Sequence, residues 1–164
     1  MLTKSFLNTK GFSLIEFLVV VAILLILATS ALIYTNPIEN QKKARDQRRL
    51  TDVAQLREAF EEFKADNKVY PDLKSTIRYS NVLVMPGSNL TSSDSGWLNE
   101  NMTGYLNFLP IDPINTDEYI YTYIRDDLSF ELNAKLEHFS DIMINDNGNN
   151  NNLYEVGDDL TLLE

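Results

Sequence analysis

The chain has 164 residues with 24 acidic and 14 basic side chains, one histidine, no cysteine and a formal charge of −10. The absence of thiols excludes disulfides, iron–sulfur clusters, thiolate zinc sites and a cysteine nucleophile. Residues 1–49 hold seven basic and three acidic side chains and residues 50–164 seven and 21, so most of the chain is an acidic, soluble surface poorly suited to nucleic-acid phosphates.

The first element in chain order is an apolar run. Of the 22 residues from Phe12 to Ile33, only Ser13, Glu16, Thr29 and Ser30 are polar, and none is Gly or Pro. As a helix this run spans about 33 Å, enough for the hydrocarbon of a bilayer. A carboxylate near its start, Glu16, is costly in hydrocarbon unless protonated or paired. A secretory signal peptide would have a shorter apolar region and would be cut near Ala28-Thr29-Ser30-Ala31. An ordinary membrane anchor fits the length and leaves Glu16 unexplained.

A third reading uses the residues before the run. Lys10-Gly11 followed by Phe12-Ser13-Leu14-Ile15-Glu16 resembles the type III signal of type IV pilins and type II secretion pseudopilins. The resemblance implies that residues 1–11 are a leader and that prepilin peptidase cuts the Gly11–Phe12 bond. It also implies that Phe12 is N-methylated and that Glu16 pairs with the Phe12 amine of a neighbouring subunit. The physics agrees: cleavage creates a cation at Phe12, and an unpaired buried carboxylate penalises a wrong stagger. The plainer role for Glu16 is to sit at a helix N-terminus, where the backbone dipole favours it.

Beyond the run come Lys42, Lys43, Arg45, Arg48 and Arg49, against only Lys4 and Lys10 before it. Counting basic residues alone puts the N-terminus outside; the leader motif puts it inside, with the basic collar free to face acidic heads of neighbouring subunits. From there Leu50, Val53, Leu56, Phe60 and Phe63 recur at helical spacing. Asp52, Arg57, Glu58, Glu61, Glu62 and Lys64 are assigned to the opposite side. Residues 12–65 are expected as one helix, an apolar half over 12–35 and an amphipathic half over 36–65. Its weak point is Asn36-Pro37, where proline removes a backbone hydrogen bond. Pilins resemble this organisation.

Residues 66–164 form the head. Asp66-Asn67-Lys68-Val69-Tyr70-Pro71 resembles the Asp-Asn-Gly-x-Tyr-Pro that follows the helix in major pseudopilins, with Lys68 in place of Gly. A loop is expected over 66–115, containing Pro86-Gly87-Ser88-Asn89 and Thr91 to Gly96. Trp97 and Leu98 are expected to pin it to the core. Leu109-Pro110-Ile111-Asp112-Pro113 also resembles pseudopilins, and Asp112 is assigned a turn-forming role. Alternating residues in EYIYTYIR and SFELNAKLE, joined by Asp126-Asp127, predict a β-hairpin over 118–137. Its apolar face covers the Leu50–Phe63 stripe.

Residues 141–164 are read as an Asn/Asp-rich loop. Oxygens at close spacing suit a hard cation such as calcium, and Gly157-Asp158-Asp159 resembles part of the calcium loop of major pseudopilins. Asp146, Asp158 and Asp159 are the candidate ligands; a solvated turn is the alternative. His138 lacks a nucleophile partner, and no phosphate loop, zinc spacing or nucleophile elbow is present.

The fold expected is therefore α+β and pilin-like: a long N-terminal helix on a small antiparallel sheet. The leading function is a structural subunit of a type IV pilus-like filament, not an enzyme. The alternatives are a type II secretion pseudopilin, a membrane-tethered extracellular binding module, and an exported hydrolase. The resemblance implies as partners further copies of the chain and minor pilins, prepilin peptidase, a polytopic platform protein and an assembly ATPase. It implies a single pass through the bacterial cytoplasmic membrane with the head outside, then an extracellular or periplasmic filament.

Overall fold

A computed structural model of the protein describes residues 11–82 and 96–163. Residues 1–10 of the expected leader, and the turn stretch from Pro86 to Ser95, lie outside them. The chain divides into two units, Met1–Asn40 and Gln41–Glu164.

The first unit is built on α1, Leu14–Thr35. Instead of one helix over 12–65 there are two, because Asn36 turns left-handed at the end of α1 (φ 37°, ψ 69°). Asparagine tolerates that conformation, and Pro37 opens α2 (Pro37–Asn67). At the first position of a helix a missing N–H and a fixed φ do no harm. The Asn-Pro pair is thus a stop and a start.

In the second unit, α2 presents Val53, Leu56, Ala59, Phe60 and Phe63 as a buried stripe, with Leu50 half-buried. This face packs on a four-stranded antiparallel sheet in the order β1-β2-β3-β4. The strands are β1, Arg78–Tyr79; β2, Tyr121–Arg125; β3, Phe130–Ala134; and β4, Tyr154–Gly157. The expected hairpin is β2–β3, shorter than 118–137, with Tyr121 opposite Ala134 and Tyr123 opposite Leu132. Asp126 shapes its turn, its Oδ1 accepting from the N–H groups of Leu128 and Ser129 at 2.9 and 2.7 Å.

Strand alternation sends Tyr121, Tyr123, Phe130, Leu132 and Ala134 toward α2. The Phe60 ring lies 4.7 Å from that of Tyr123 and 5.6 Å from that of Phe130. Each buried tyrosine finds a partner for its hydroxyl, Tyr121 donating to Asp52 at 2.9 Å and Tyr123 to the Pro71 carbonyl at 2.8 Å. Asp52 is therefore buried on the sheet side of α2, not on the opposite side. Burying each large side chain of this stripe contributes about 1.5–3 kcal/mol.

Two expected loops contain structure. β1 lies within 66–115 and pairs with β2, Arg78 opposite Tyr123. The tail 141–164 contains β4 and most of α3, Ser140–Ile144, so it completes the sheet. Trp97 and Leu98 are fully buried as expected, and the Trp97 Nε1–H donates to the Pro110 carbonyl at 2.9 Å.

Candidate functional site

The N-terminal segment carries the processing and assembly residues. Gly11 and Phe12 precede α1 and are exposed, and Ser13 caps the helix in extended conformation (φ −77°, ψ 143°). A Cβ added at Gly11 would meet nothing within 4 Å. The fold therefore places no demand for glycine there, and any requirement belongs to whatever acts on the Gly11–Phe12 bond.

Glu16 is the third residue of α1. Its Oε2 accepts the Ser13 backbone N–H at 2.9 Å, which satisfies one of the amide donors left open at a helix start. The carboxylate is exposed and, among the described residues, has no ion pair. Both roles weighed for Glu16 start from this geometry: it is held at the positive end of the helix, one turn from Phe12.

Leu14–Ala31 has a mean hydropathy of 2.7 and none of it is buried, so α1 is long and apolar enough to cross a membrane. Its two hydroxyl residues do not spoil that surface. Thr29 Oγ1 donates to the Leu25 and Ile26 carbonyls at 3.0 and 2.9 Å, and Ser30 Oγ to Ile26 at 2.6 Å. Their polar atoms are thus satisfied within the helix, as lipid requires.

Two of the five basic residues of the collar, Arg45 and Arg49, are engaged inside the head. Arg49 is fully buried. Its Nε and Nη2 clamp Asp112 at 2.6 and 3.0 Å, and its Nη1 donates to Asp46 at 2.8 Å and to Glu137 at 2.7 Å. Arg45 holds the other side of Glu137, with bonds of 2.7 and 2.6 Å. Arg48 lies 3.6 Å from Asp52. The expectation that this collar faces neighbouring subunits is therefore corrected for Arg45 and Arg49.

The electrostatics of the cluster follow from burial and pairing. Burial alone would lower the Arg49 pKa, but its bonds to Asp112 and Glu137 outweigh that and hold it above its ordinary value. The bond from Arg45, followed by those from Arg49, pulls Glu137 down to about 2. Asp46 also accepts backbone N–H groups from Glu137, His138 and Phe139, the shortest 2.7 Å from His138. The segment after β3 is thereby wrapped onto α2. His138 serves through its backbone, with its side chain exposed. Asp112 does form the expected turn, accepting from Ile114 N at 2.8 Å, but it is also the buried counter-ion that the turn reading missed.

The three tail aspartates bond to different groups. Asp158 Oδ2 accepts from the Tyr70 hydroxyl at 2.6 Å and lies 3.4 Å from Lys64 Nζ. Asp159 accepts from Thr161, and Asp146 from the N–H groups of Gly148 and Glu155. Among the described residues, no three His, Cys, Asp or Glu side chains are arranged to hold a metal ion.

Two family models match. One, described as the prokaryotic N-terminal methylation motif, covers residues 7–32; the other, described as type II secretion system protein G, covers residues 36–135. Type II secretion system core protein G of Vibrio cholerae serotype O1 is 35% identical over 121 residues, 74% of each chain. The same-named protein of Pectobacterium carotovorum is 32% identical over 110 residues, 66% of this chain and 64% of the relative. That of Escherichia coli K12 is 31% identical over 108 residues, 66% and 68%. No solved structure matches the chain.

Proposed function

Because the chain belongs to the type II secretion system protein G family, we propose that it is a pseudopilin: a structural, non-catalytic subunit of a secretion filament. The observation that carries this is the protein G match across the α2 stem and most of the sheet, joined to a methylation motif over the start of α1. The same observation favours the secretion pseudopilin, the alternative reading of the sequence, over the type IV pilus subunit that was its leading one.

In this reading the subunit waits in the cytoplasmic membrane on α1, with its head in the periplasm. Prepilin peptidase removes residues 1–11 and methylates the new Phe12 amine. The exposed apolar surface of α1 then moves from lipid to the α1 helices of other subunits, an exchange between two apolar surroundings. That exchange has little hydrophobic driving force of its own, so register must come from something directional. The Phe12 amine of one subunit and Glu16 of the next supply it. Secretion platform protein and assembly ATPase act as the machinery, and further pseudopilins share the filament.

Glu16→Ala tests the assembly role. Glu16 is outside the head, so the head's unfolding midpoint should not change, while cross-linked multimers in membranes should be lost. Multimers at wild-type yield would remove Glu16 from the assembly account.

A further inference from the structure

One side of α2 is left open by the head. Arg48, Thr51, Gln55, Glu58, Glu62 and Asp66 step by three or four residues, so they share one stripe of the helix, and all are exposed. The stripe is polarised. It begins with a guanidinium, passes through uncharged side chains and ends in carboxylates. The dipole of α2 adds negative charge at that same end.

Beside the acidic end lies a groove of about 420 Å³, with Glu58 and Glu62 on one wall and Tyr105 and Phe108 on the other. A hollow of about 330 Å³ continues it past Glu62 to Asp66. The second wall is fastened to the stem. The Tyr105 ring lies 5.3 Å from that of Phe63, and the Tyr105 hydroxyl donates to Asp66 Oδ2 at 3.0 Å. Phe108 stands on this wall with 53% of its surface exposed. Among the described residues no lysine or arginine lines the groove, and neither Glu58 nor Glu62 has an ion pair.

Glutamates on a helix face are by themselves a solvated surface. Carboxylates beside an open aromatic ring are more selective. A guanidinium pairs with carboxylates through its planar fork and stacks on aromatic faces. The chain carries a matching group. Arg45 and Arg49 are engaged in the head, but the Arg48 side chain is 60% exposed and its contact with Asp52 is 3.6 Å long. Arg48 stands about 15–21 Å from Glu58 and Glu62 along α2, too far to reach them within one copy. Residues 50–164 hold 21 acidic and seven basic side chains, so most other faces of two heads would repel each other.

We propose that the groove between Glu58, Glu62 and Phe108 receives Arg48 of a second copy of this chain, which makes the exposed α2 stripe a contact between successive subunits. The inference rests on the pseudopilin reading above. Copies that enter one filament from one membrane point the same way, so the basic end of one stripe meets the acidic end of the next. Such a contact is heterologous and propagates instead of closing into a pair. It gives the heads a directional contact separate from Glu16.

The chain has no cysteine, so thiols can be placed freely in the full-length protein in membranes. Thr51→Cys and Ala65→Cys leave every charge in place. The first lies one turn beyond Arg48 and the second lines the hollow past Glu62. The double variant is treated with a bis-maleimide too short to span the ~21 Å between the two positions along α2. A ladder of multimers is expected from it, and none from either single variant. Arg48→Glu should lower the yield of chemically cross-linked multimers about tenfold or more, because like charges then meet. Adding Glu58→Arg and Glu62→Arg to that chain should restore the yield. The unfolding midpoint, read by Trp97 fluorescence, should barely move, since all three side chains are exposed.

The proposal is overturned by a double-cysteine chain that gives no ladder or stops at dimers, or by a charge swap that restores nothing. Wild-type multimer yield in Arg48→Glu also overturns it, and loss of binding to phosphatidylglycerol vesicles in that variant would assign Arg48 to the lipid surface instead. Any of these results, with multimers still lost in Glu16→Ala, leaves the pseudopilin reading standing. A wild type that keeps residues 1–11 and forms no multimers overturns both.

Discussion

Arg49→Met is the sharpest test of what holds the stem to the head. The substitution keeps most of the side-chain volume and removes the charge. It leaves Asp112 without its two-bond clamp and takes one cationic partner each from Asp46 and Glu137. Breaking a buried pair from one side costs about 3–5 kcal/mol. The lower end applies here. Arg45 still holds Glu137, and Asp46 and Asp112 keep their backbone N–H donors. A loss of about 3 kcal/mol is a large share of the ~5–15 kcal/mol that a domain possesses. With a urea m-value of about 1–3 kcal/mol/M, the midpoint should fall by about 1–3 M. The chain has one tryptophan, Trp97, and it is fully buried, so its fluorescence follows the transition without a label. The control is Arg48→Met: Arg48 is exposed, lies 3.6 Å from Asp52, and leaves Asp52 its bond from the Tyr121 hydroxyl, so losing this long contact should cost about 0–1 kcal/mol. If Arg49→Met costs no more than this control, the cluster is not what fastens α2 to the Asp112 turn and the Glu137 segment.

Two further predictions concern the head. Glu137 has a folded-state pKa depressed from 4.5 to about 2. A depressed carboxylate contributes stability that is present above its unfolded pKa and is lost as pH falls through the folded value. The head should therefore lose stability between about pH 4.5 and 2, and Glu137→Gln should flatten that part of the profile; an identical acid slope in the variant refutes the assignment. Lys68 follows α2 in the left-handed region at φ 68°, a position where a Cβ costs about 1–2 kcal/mol and glycine costs nothing sterically. Lys68→Gly should raise the unfolding free energy by about 0.5–1 kcal/mol, after allowing for glycine's greater freedom when unfolded. A destabilised variant would show that the Lys68 bond to the Ala65 carbonyl, 2.7 Å long, outweighs the strain.

The parts of the fold readable in the sequence were those with a long period. The Val53–Phe63 stripe and the alternation of Tyr121, Tyr123, Phe130 and Leu132 each run over enough residues to declare a helix face or a strand. β1 is two residues long and exists only because β2 offers it an edge. β4 is four residues set among asparagines, and local composition there points to a loop. Asn36-Pro37 reads as an internal kink when proline is taken as a breaker; as a C-cap followed by a first helical residue it ends one helix and begins another.

At the candidate site, Gly11, Phe12 and Glu16 were legible because a peptidase reads contiguous residues. Arg49 was not, because a lone arginine in a basic run is usually solvated. A signal was present nonetheless. Asp46, Arg49, Val53, Leu56, Phe60 and Phe63 step by three and four along one face, so the buried stripe extends one turn into charged residues. Glu131, Asn133 and Glu155 look like the polar half of an alternating strand, and only the overlying C-terminal segment makes them buried.

Whether the chain is a processed pseudopilin is decided by intact mass and N-terminal sequencing of the protein taken from membranes of cells that carry a prepilin peptidase. The predicted mature chain begins at Phe12 and carries one N-terminal methyl group, with residues 1–11 gone. A chain that keeps residue 1, or one that starts near Ala31 after loss of α1, would contradict it.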